Sequence, residues 1–311
     1  MLCNSAAFVP AGARERLAAP LLRLATRLGV KPVLSPAVPI ARQRRRLRQV
    51  TQMLRRASAV EIAPSTAGGV SGDWLQPRLP AANSKATILY LHGGAYCIGS
   101  PATHRAVTSQ LARAAGLPVF TPAYRLAPEH PFPAAVEDAV AVCLSLSETG
   151  AFAIAGDSAG AGLALATALA LRQRQAAAPM ALVLFSPWVD LTVSALSATA
   201  PSEVMLSASW LAACAQHYLA GQDAKAPLAS PIFGDLRGLA PVLIQTSPDE
   251  LLHDEALRLH DALDKSGVAV RCEIVPRRWH EFQLHAGTLP SAIMAIERAA
   301  EFIVADTAPE P

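Results

Sequence analysis

Long hydrophobic runs are missing from this chain. No apolar stretch approaches the roughly 18 residues that a membrane-spanning helix needs, so no span is expected. Charge is also scarce, at 16% of residues against 52% apolar, which excludes a disordered chain and provides ample material for a core. The five cysteines (Cys3, Cys97, Cys143, Cys214 and Cys272) are scattered and odd in number. That argues against a disulfide framework or a zinc site and fits a reducing, cytoplasmic setting. The first ten residues lack a basic start followed by an unbroken apolar stretch, so no secretory leader is expected. Acids are nearly absent from the first 60 residues: eleven Arg and Lys31 stand against Glu15 alone. The balance there is +11, which leaves −8 for the rest of a chain whose net charge is +3. Such a split marks the N-terminal part as a separate surface element.

What is present suits one large α/β domain with a lid, at 311 residues. Leu17, Leu21, Leu24 and Leu28 form one apolar stripe on a helix despite Pro20, and a second helical pattern places Leu47, Val50, Leu54 and Ala57 together. Arginines cover the other side of that second helix. No aromatic platform or nucleic-acid signature accompanies them, so they read as a solvated face. Beyond Val60, short apolar runs alternate with helical stretches: Thr87–Leu91 then Thr103–Ala115, Val119–Thr121 then Ala134–Leu146, Phe152–Ala155 then Gly160–Arg172. Ala181–Phe185, Val242–Thr246, Glu250–Ser266, Val268–Val275 and Ser291–Val304 continue the series. The alternation predicts a mostly parallel sheet with helices on both faces. An Ala/Ser-rich insert with one helix, Ala208–Leu219, interrupts it. The expected division is N-terminal cap helices over 1–60, a catalytic domain over 61–194 and 226–311, and a cap insertion over 195–225.

The chain is organised around Phe152-Ala153-Ile154-Ala155-Gly156-Asp157-Ser158-Ala159-Gly160. An apolar strand turns through G-x-S-x-G straight into a helix, the context that a nucleophile elbow requires. The turn is tight enough that a Cβ at either glycine would strike a neighbouring element. It raises the Ser158 hydroxyl at a helix N-terminus, where free N–H groups and the helix dipole favour developing negative charge. Three fixed positions are a weak signal alone, and a serine hydroxyl needs a base and a group that orients the base. In an α/β sheet these gather at the carboxyl ends of the strands. Asp249 is the first acid past the strand 242–246, with Glu250 close behind, and Asp249 is taken as the orienting acid. His280 lies in the loop after the last strand, and the order Ser158, Asp249, His280 is that of the α/β-hydrolase arrangement. Gly93 and Gly94 in His92-Gly93-Gly94-Ala95 let backbone N–H groups approach a reacting carbonyl closely, and the N–H of Ala159 is the other expected donor.

With these motifs in place the chain resembles the hormone-sensitive-lipase-like esterases (bacterial family IV) of the α/β-hydrolase fold. The resemblance runs from about Ala86 to Phe302. It rests on His92–Ala95, on Tyr124-Arg125-Leu126-Ala127-Pro128-Glu129-His130-Pro131-Phe132-Pro133-Ala134-Ala135, on the elbow, on Ser186-Pro187-Trp188-Val189-Asp190-Leu191, and on Asp249-Glu250-Leu251. It implies a two-part lid, and oxyanion donors at Gly94, Ala95 and Ala159. The chain departs from the family in two places. Ala95 replaces the third glycine of H-G-G-G, which would strain the loop by about 1 kcal/mol if that position has positive φ. Glu281 follows the base where an apolar residue is commoner. The implied activity is a serine carboxylesterase acting on short- to medium-chain acyl esters, with no metal and no cofactor. Met205, Leu206, Trp210 and Leu211 of the insert are candidates to cover the acyl chain. The expected partner is a small-molecule ester, with no nucleic acid and no stable membrane insertion, and a homodimer is left open. An amidase or lactamase on the same residues, or a non-catalytic binding homologue, are the alternatives.

Overall fold

The computed structural model describes residues 12–80, 86–194, 196 and 202–305. Cys3 and the start of the 195–225 insert therefore fall outside the described residues. Helices α1 (Ala13–Gly29) and α2 (Ile40–Thr51) come first, followed by a hairpin of β1 (Val60–Ala67) and β2 (Val70–Pro77). Next come β3 (Thr87–Leu91), α3 (Pro101–Ala115), β4 (Val119–Pro122), α4 (Ala134–Ser147), β5 (Phe152–Asp157), α5 (Ala159–Gln173) and β6 (Leu182–Phe185). Helix α6 (Ala208–Leu219) precedes β7 (Val242–Thr246), α7 (His253–Lys265), β8 (Val270–Ile274) and α8 (Pro290–Ala305).

The eight strands form one sheet in the order β1-β2-β4-β3-β5-β6-β7-β8. From β4 to β8 every pairing is parallel, while β1–β2 and β2–β4 are antiparallel. This is the α/β-hydrolase fold. Strands β3 and β5 are buried along their whole length, as central parallel strands must be. Alternation sends Leu89, Leu91, Phe152 and Ile154 into one half of the core. Ile88, Tyr90, Ala153 and Ala155 go into the other half. Helices α4, α5 and α7 cover the first face, and α3 and α8 cover the second.

Pairing of Leu91 with Gly156 and of Asp157 with Phe185 brings β3, β5 and β6 to an end at one level. The chain runs from β3 outward to β4, then back across β3 to β5. Loops after β3 and β5 thus leave in opposite directions at a topological switch point, where α/β sheets open a crevice. The loops after β7 and β8 close the same edge.

The N-terminal helices lie over this edge, fastened by polar contacts. Arg44 Nε donates to the Cys97 carbonyl at 2.8 Å, and its guanidinium grips Glu129. Gln43 accepts from Trp210 Nε1 at 2.9 Å, which joins α2 to α6. Glu15, the lone acid of the segment, is buried against Arg278 and Ser291. That pairing turns the Glu15, Leu22 and Thr26 side of α1 inward, so the stripe Leu17, Leu21, Leu24 and Leu28 faces out. Helix α2 ends at Thr51, so Leu54 and Ala57 lie beyond it rather than on its face.

Candidate active site

Strand β5 delivers Ser158 with φ 52° and ψ −119°, a conformation that non-glycine residues rarely adopt. Surrounding contacts hold it there. Its N–H donates to the Phe185 carbonyl at 2.8 Å, and its carbonyl accepts from Trp188 N at 3.0 Å and from Ala161 and Gly162 in the first turn of α5. A Cβ on Gly160 would be driven into the Leu91 carbonyl, and one on Gly156 into the Gly160 carbonyl, so both positions exclude any side chain. Ser158 and the buried His280, whose Nε2 has no hydrogen-bond partner, line one cavity with Gly94, Ala95, Met205, Leu206 and Trp210.

The acid against His280 is Glu250. Its Oε2 lies 3.0 Å from His280 Nδ1, and both side chains are fully buried. Glu250 also accepts from Thr246 Oγ1 and from the Ser247 N–H at 2.9 Å, and Ser186 donates to it as well. Burial opposes its charge, but the His280, Thr246 and Ser186 hydrogen bonds outweigh that and hold the carboxyl below its usual range. Asp249, expected in this place, points away from His280. It is a quarter exposed and accepts from Arg23 Nη1 of α1 at 2.9 Å. The reason is local: Ser247-Pro248-Asp249-Glu250 has capping-box spacing, and the residue three beyond Ser247 reaches back to its N–H. That spacing is the sequence signal that identifies Glu250.

The loop after β3 supplies candidate donors. Among the described backbone hydrogen bonds, none takes the N–H of Gly94, Ala95 or Ala159. Gly93 differs from the expectation, because its N–H donates to Asp157 Oδ2 at 3.0 Å and is not free for a ligand. Ala95 has φ 50°, so the strain anticipated for an alanine at that glycine position is present. His92 is a loop-fixing residue. Its ring stacks on Tyr124 at 4.3 Å, Nδ1 lies 2.9 Å from the Gly93 carbonyl, and burial followed by His104 pushes its pKa down to about 3.

Beneath the site lies a buried acid pair that sequence reading did not find. Asp157 accepts from Tyr90 at 2.7 Å and from Gly93, and its Oδ2 is 3.1 Å from His104 Nε2. Burial alone would raise the Asp157 carboxyl. His104, together with hydrogen bonds from His104, Glu281 and Tyr90, holds it well below the usual range. Glu281 is the partner: burial first, then the charge of Asp157, push its carboxyl well above the ordinary value. That direction favours the protonated form of Glu281 as the partner of the Asp157 carboxylate. Its Oε1 is 3.7 Å from His280 Nε2. The two carboxyls meet over Gly93, where a Cβ would fall on both.

Met205, Leu206 and Trp210 line the cavity from the insert, while Leu211 is wholly buried and does not line it. Among the described residues no cluster of His, Cys, Asp or Glu has a metal-binding arrangement, and no helix is long and apolar enough to cross a membrane.

Comparison with known proteins agrees with this fold. Residues 88–284 match a family model described as the alpha/beta hydrolase fold. An acetyl-hydrolase of Streptomyces hygroscopicus is 45% identical over 244 residues, covering 76% of this chain and 81% of the relative. An esterase of Acinetobacter venetianus is 34% identical, covering 82% and 86%. Among solved structures, an esterase/lipase from an uncultured bacterium superposes with a TM-score of 0.87 at 34% identity, over 96% of this chain and all of that one. An esterase of the bacterial hormone-sensitive lipase family gives 0.87 at 33%, with the same coverage. The chain thus belongs to the hormone-sensitive-lipase-type esterases of the α/β-hydrolase fold, and it is a carboxylic ester hydrolase.

Proposed function

We propose that the chain is a serine esterase for short-chain acyl esters that works through an acyl-enzyme, with Ser158, His280 and Glu250 as its reacting residues. The observation that carries this reading is the buried His280: Nδ1 is held by Glu250 at 3.0 Å, Nε2 has no hydrogen-bond partner, and the residue lines the same cavity as Ser158. With Nδ1–H committed to a carboxylate, Nε2 is the ring atom left to accept a proton. Ser158 Oγ attacks the ester carbonyl as His280 Nε2 takes its proton, and Glu250 stabilises the imidazolium. The N–H groups of Gly94, Ala95 and Ala159 receive the tetrahedral oxyanion, each worth a few kcal/mol. His280 then protonates the departing alkoxide, and water releases the acyl group by the same steps in reverse order.

Two spaces divide the substrate. The cavity at Ser158 holds only about 30 Å³ and is closed by Leu206 and Trp210, which supports a small acyl group. A groove of about 230 Å³ between α1 and α2 reaches His280 and Glu281 from outside, and it suits the alcohol that His280 releases. The name of the Streptomyces relative, an acetyl-hydrolase, and that of a Pseudomonas putida ethyl acetate hydrolase, 33% identical over 237 residues, agree with a small acyl group. Turnover of p-nitrophenyl esters of graded acyl length tests the reading. It is expected to peak at the shortest chains and to fall by about 10⁴-fold or more in Ser158→Ala and His280→Ala. Turnover that survives Ser158→Ala overturns the mechanism, and a maximum at long chains overturns the acyl assignment.

A further inference from the structure

The exposed side of the N-terminal helices is unusual for a monomer surface. Leu17, Leu21, Leu24 and Leu28 are 67%, 65%, 52% and 68% exposed, and Met53 beyond α2 is 84% exposed. Isolated exposed leucines need no explanation, but four at spacings of four, three and four form one stripe about 16 Å long. The stripe is not a packing face turned the wrong way, because α1 already packs against the body through Ala18, Ala19 and Leu22.

Charge surrounds it. Helical geometry puts Arg14 on one side of the stripe and Arg16 and Arg27 on the other. Of the eleven arginines through residue 60, only Arg23 and Arg44 have side-chain partners among the described residues. The other nine are exposed, and Glu15, the single acid, is buried in its pair with Arg278. The described surface of residues 12–60 therefore carries positive charge alone around an apolar ridge. Beside that ridge opens the groove between α1 and α2, with Ala25, Val50 and Met53 along its walls and Trp279 and His280 deeper in.

We propose that the α1–α2 face docks onto an anionic lipid surface, with the leucine stripe at the acyl boundary and the arginines among the headgroups. An apolar strip flanked by arginines is the pattern of an interfacial helix, and basic side chains add attraction to anionic lipid. A nucleic acid would answer the arginines but leave the leucines without a partner. A second copy laid on the same face would set nine unpaired arginines against nine. Docked this way, the groove opens toward the lipid, and an ester dissolved there enters next to His280 without crossing bulk water.

Flotation of the full chain with vesicles tests the proposal, using phosphatidylcholine alone and phosphatidylcholine with about a third phosphatidylglycerol. Wild type is expected to float with the anionic vesicles, to float little with the neutral ones, and to be released by about 0.5 M salt. Replacing Leu17, Leu21, Leu24 and Leu28 together by glutamine is expected to lower the bound-to-free ratio by about tenfold or more. Turnover of a water-soluble short ester, unchanged in that variant, controls for folding. If that soluble-ester activity were absent in the wild type, the esterase reading would fail while the vesicle result still stood. Wild type that floats with neither vesicle overturns the docking, as does flotation unaffected by the leucine replacements. A wild-type dimer in solution that the same variant makes monomeric also overturns it and assigns the face to a second copy.

Discussion

At the scale of single residues, the chemistry turns on how burial treats neighbouring carboxyls. Asp249 and Glu250 are adjacent, yet one meets solvent and Arg23 while the other is sealed against His280. Glu250→Gln is expected to keep the fold and lower kcat/KM by about 10³- to 10⁴-fold, because an amide no longer fixes the tautomer or supports the imidazolium. Asp249→Asn is expected to change kcat/KM less than about threefold and stability by at most about 1 kcal/mol, the range of a partly exposed ion pair. Steady-state kinetics on a short ester separates the two, and equal losses would refute the assignment of Glu250. Glu281 gives a second test. Its carboxyl is raised by burial and by Asp157, so its contribution to stability is full below the unfolded value and is lost as pH rises through the folded one. The other groups that face it are His280, Glu250 and Glu203. Glu281→Gln retains a donor for Asp157 without the titration. The melting temperature of the variant minus that of wild type should therefore be more positive at pH 8 than at pH 5. An identical difference at the two pH values would show that Glu281 holds no proton.

Among the elements, α6 contributes Trp210 to the wall of the proposed acyl site. It starts at a Ser207 cap that accepts from the Trp210 N–H, and it presents Trp210 to the cavity with the indole N–H bound to Gln43 of α2. Glu203, just before α6, accepts from the N–H groups of Met205, Leu206 and Leu251, which ties the insert to the loop that carries Glu250. Trp210→Ala is expected to open the cavity and move the optimum p-nitrophenyl ester at least two carbons longer, at about 3–5 kcal/mol of stability. Trp210→Phe, which loses about 1 kcal/mol with the hydrogen bond, should leave the optimum in place. A profile unchanged in Trp210→Ala would place the acyl chain elsewhere. The hairpin β1–β2 is the element that the strand–helix alternation did not reveal. Gly68-Gly69, with φ 57° and 79°, is a legible two-residue hairpin turn. The flanking strands interleave polar with apolar residues and are largely unburied, however, so no continuous apolar run draws attention to them.

Across the whole molecule, the described cysteines Cys97, Cys143, Cys214 and Cys272 are buried. Burial pushes the Cys143 thiol up, and a hydrogen bond with Cys97, then burial, does the same for Cys214. In a Cys3→Ser variant, a thiol reagent at neutral pH is expected to label none of the four in the native protein and all of them in guanidinium. Fast native labelling would show that the packing around the sheet opens readily.

Much of this was determined by the sequence itself. The alternating strands and helices, the elbow at Ser158 and the His280 loop are local patterns, because periodicity, turn sterics and chain order lie within short stretches of chain. The insert helix Ala208–Leu219 and strand Val242–Thr246 are read from sequence with the same bounds that the structure gives them. The Ser247-to-Glu250 spacing marks locally the acid that meets His280, whereas only the tertiary structure brings Arg23, 226 positions away, against Asp249. Distance in the chain likewise concealed the buried Asp157–Glu281 carboxyl pair, and the diversion of the Gly93 N–H to Asp157. The outward turn of the leucine stripe follows from Glu15 meeting Arg278 and Ser291. A helical wheel shows that α1 has an apolar stripe and leaves open which side of the helix the rest of the molecule buries.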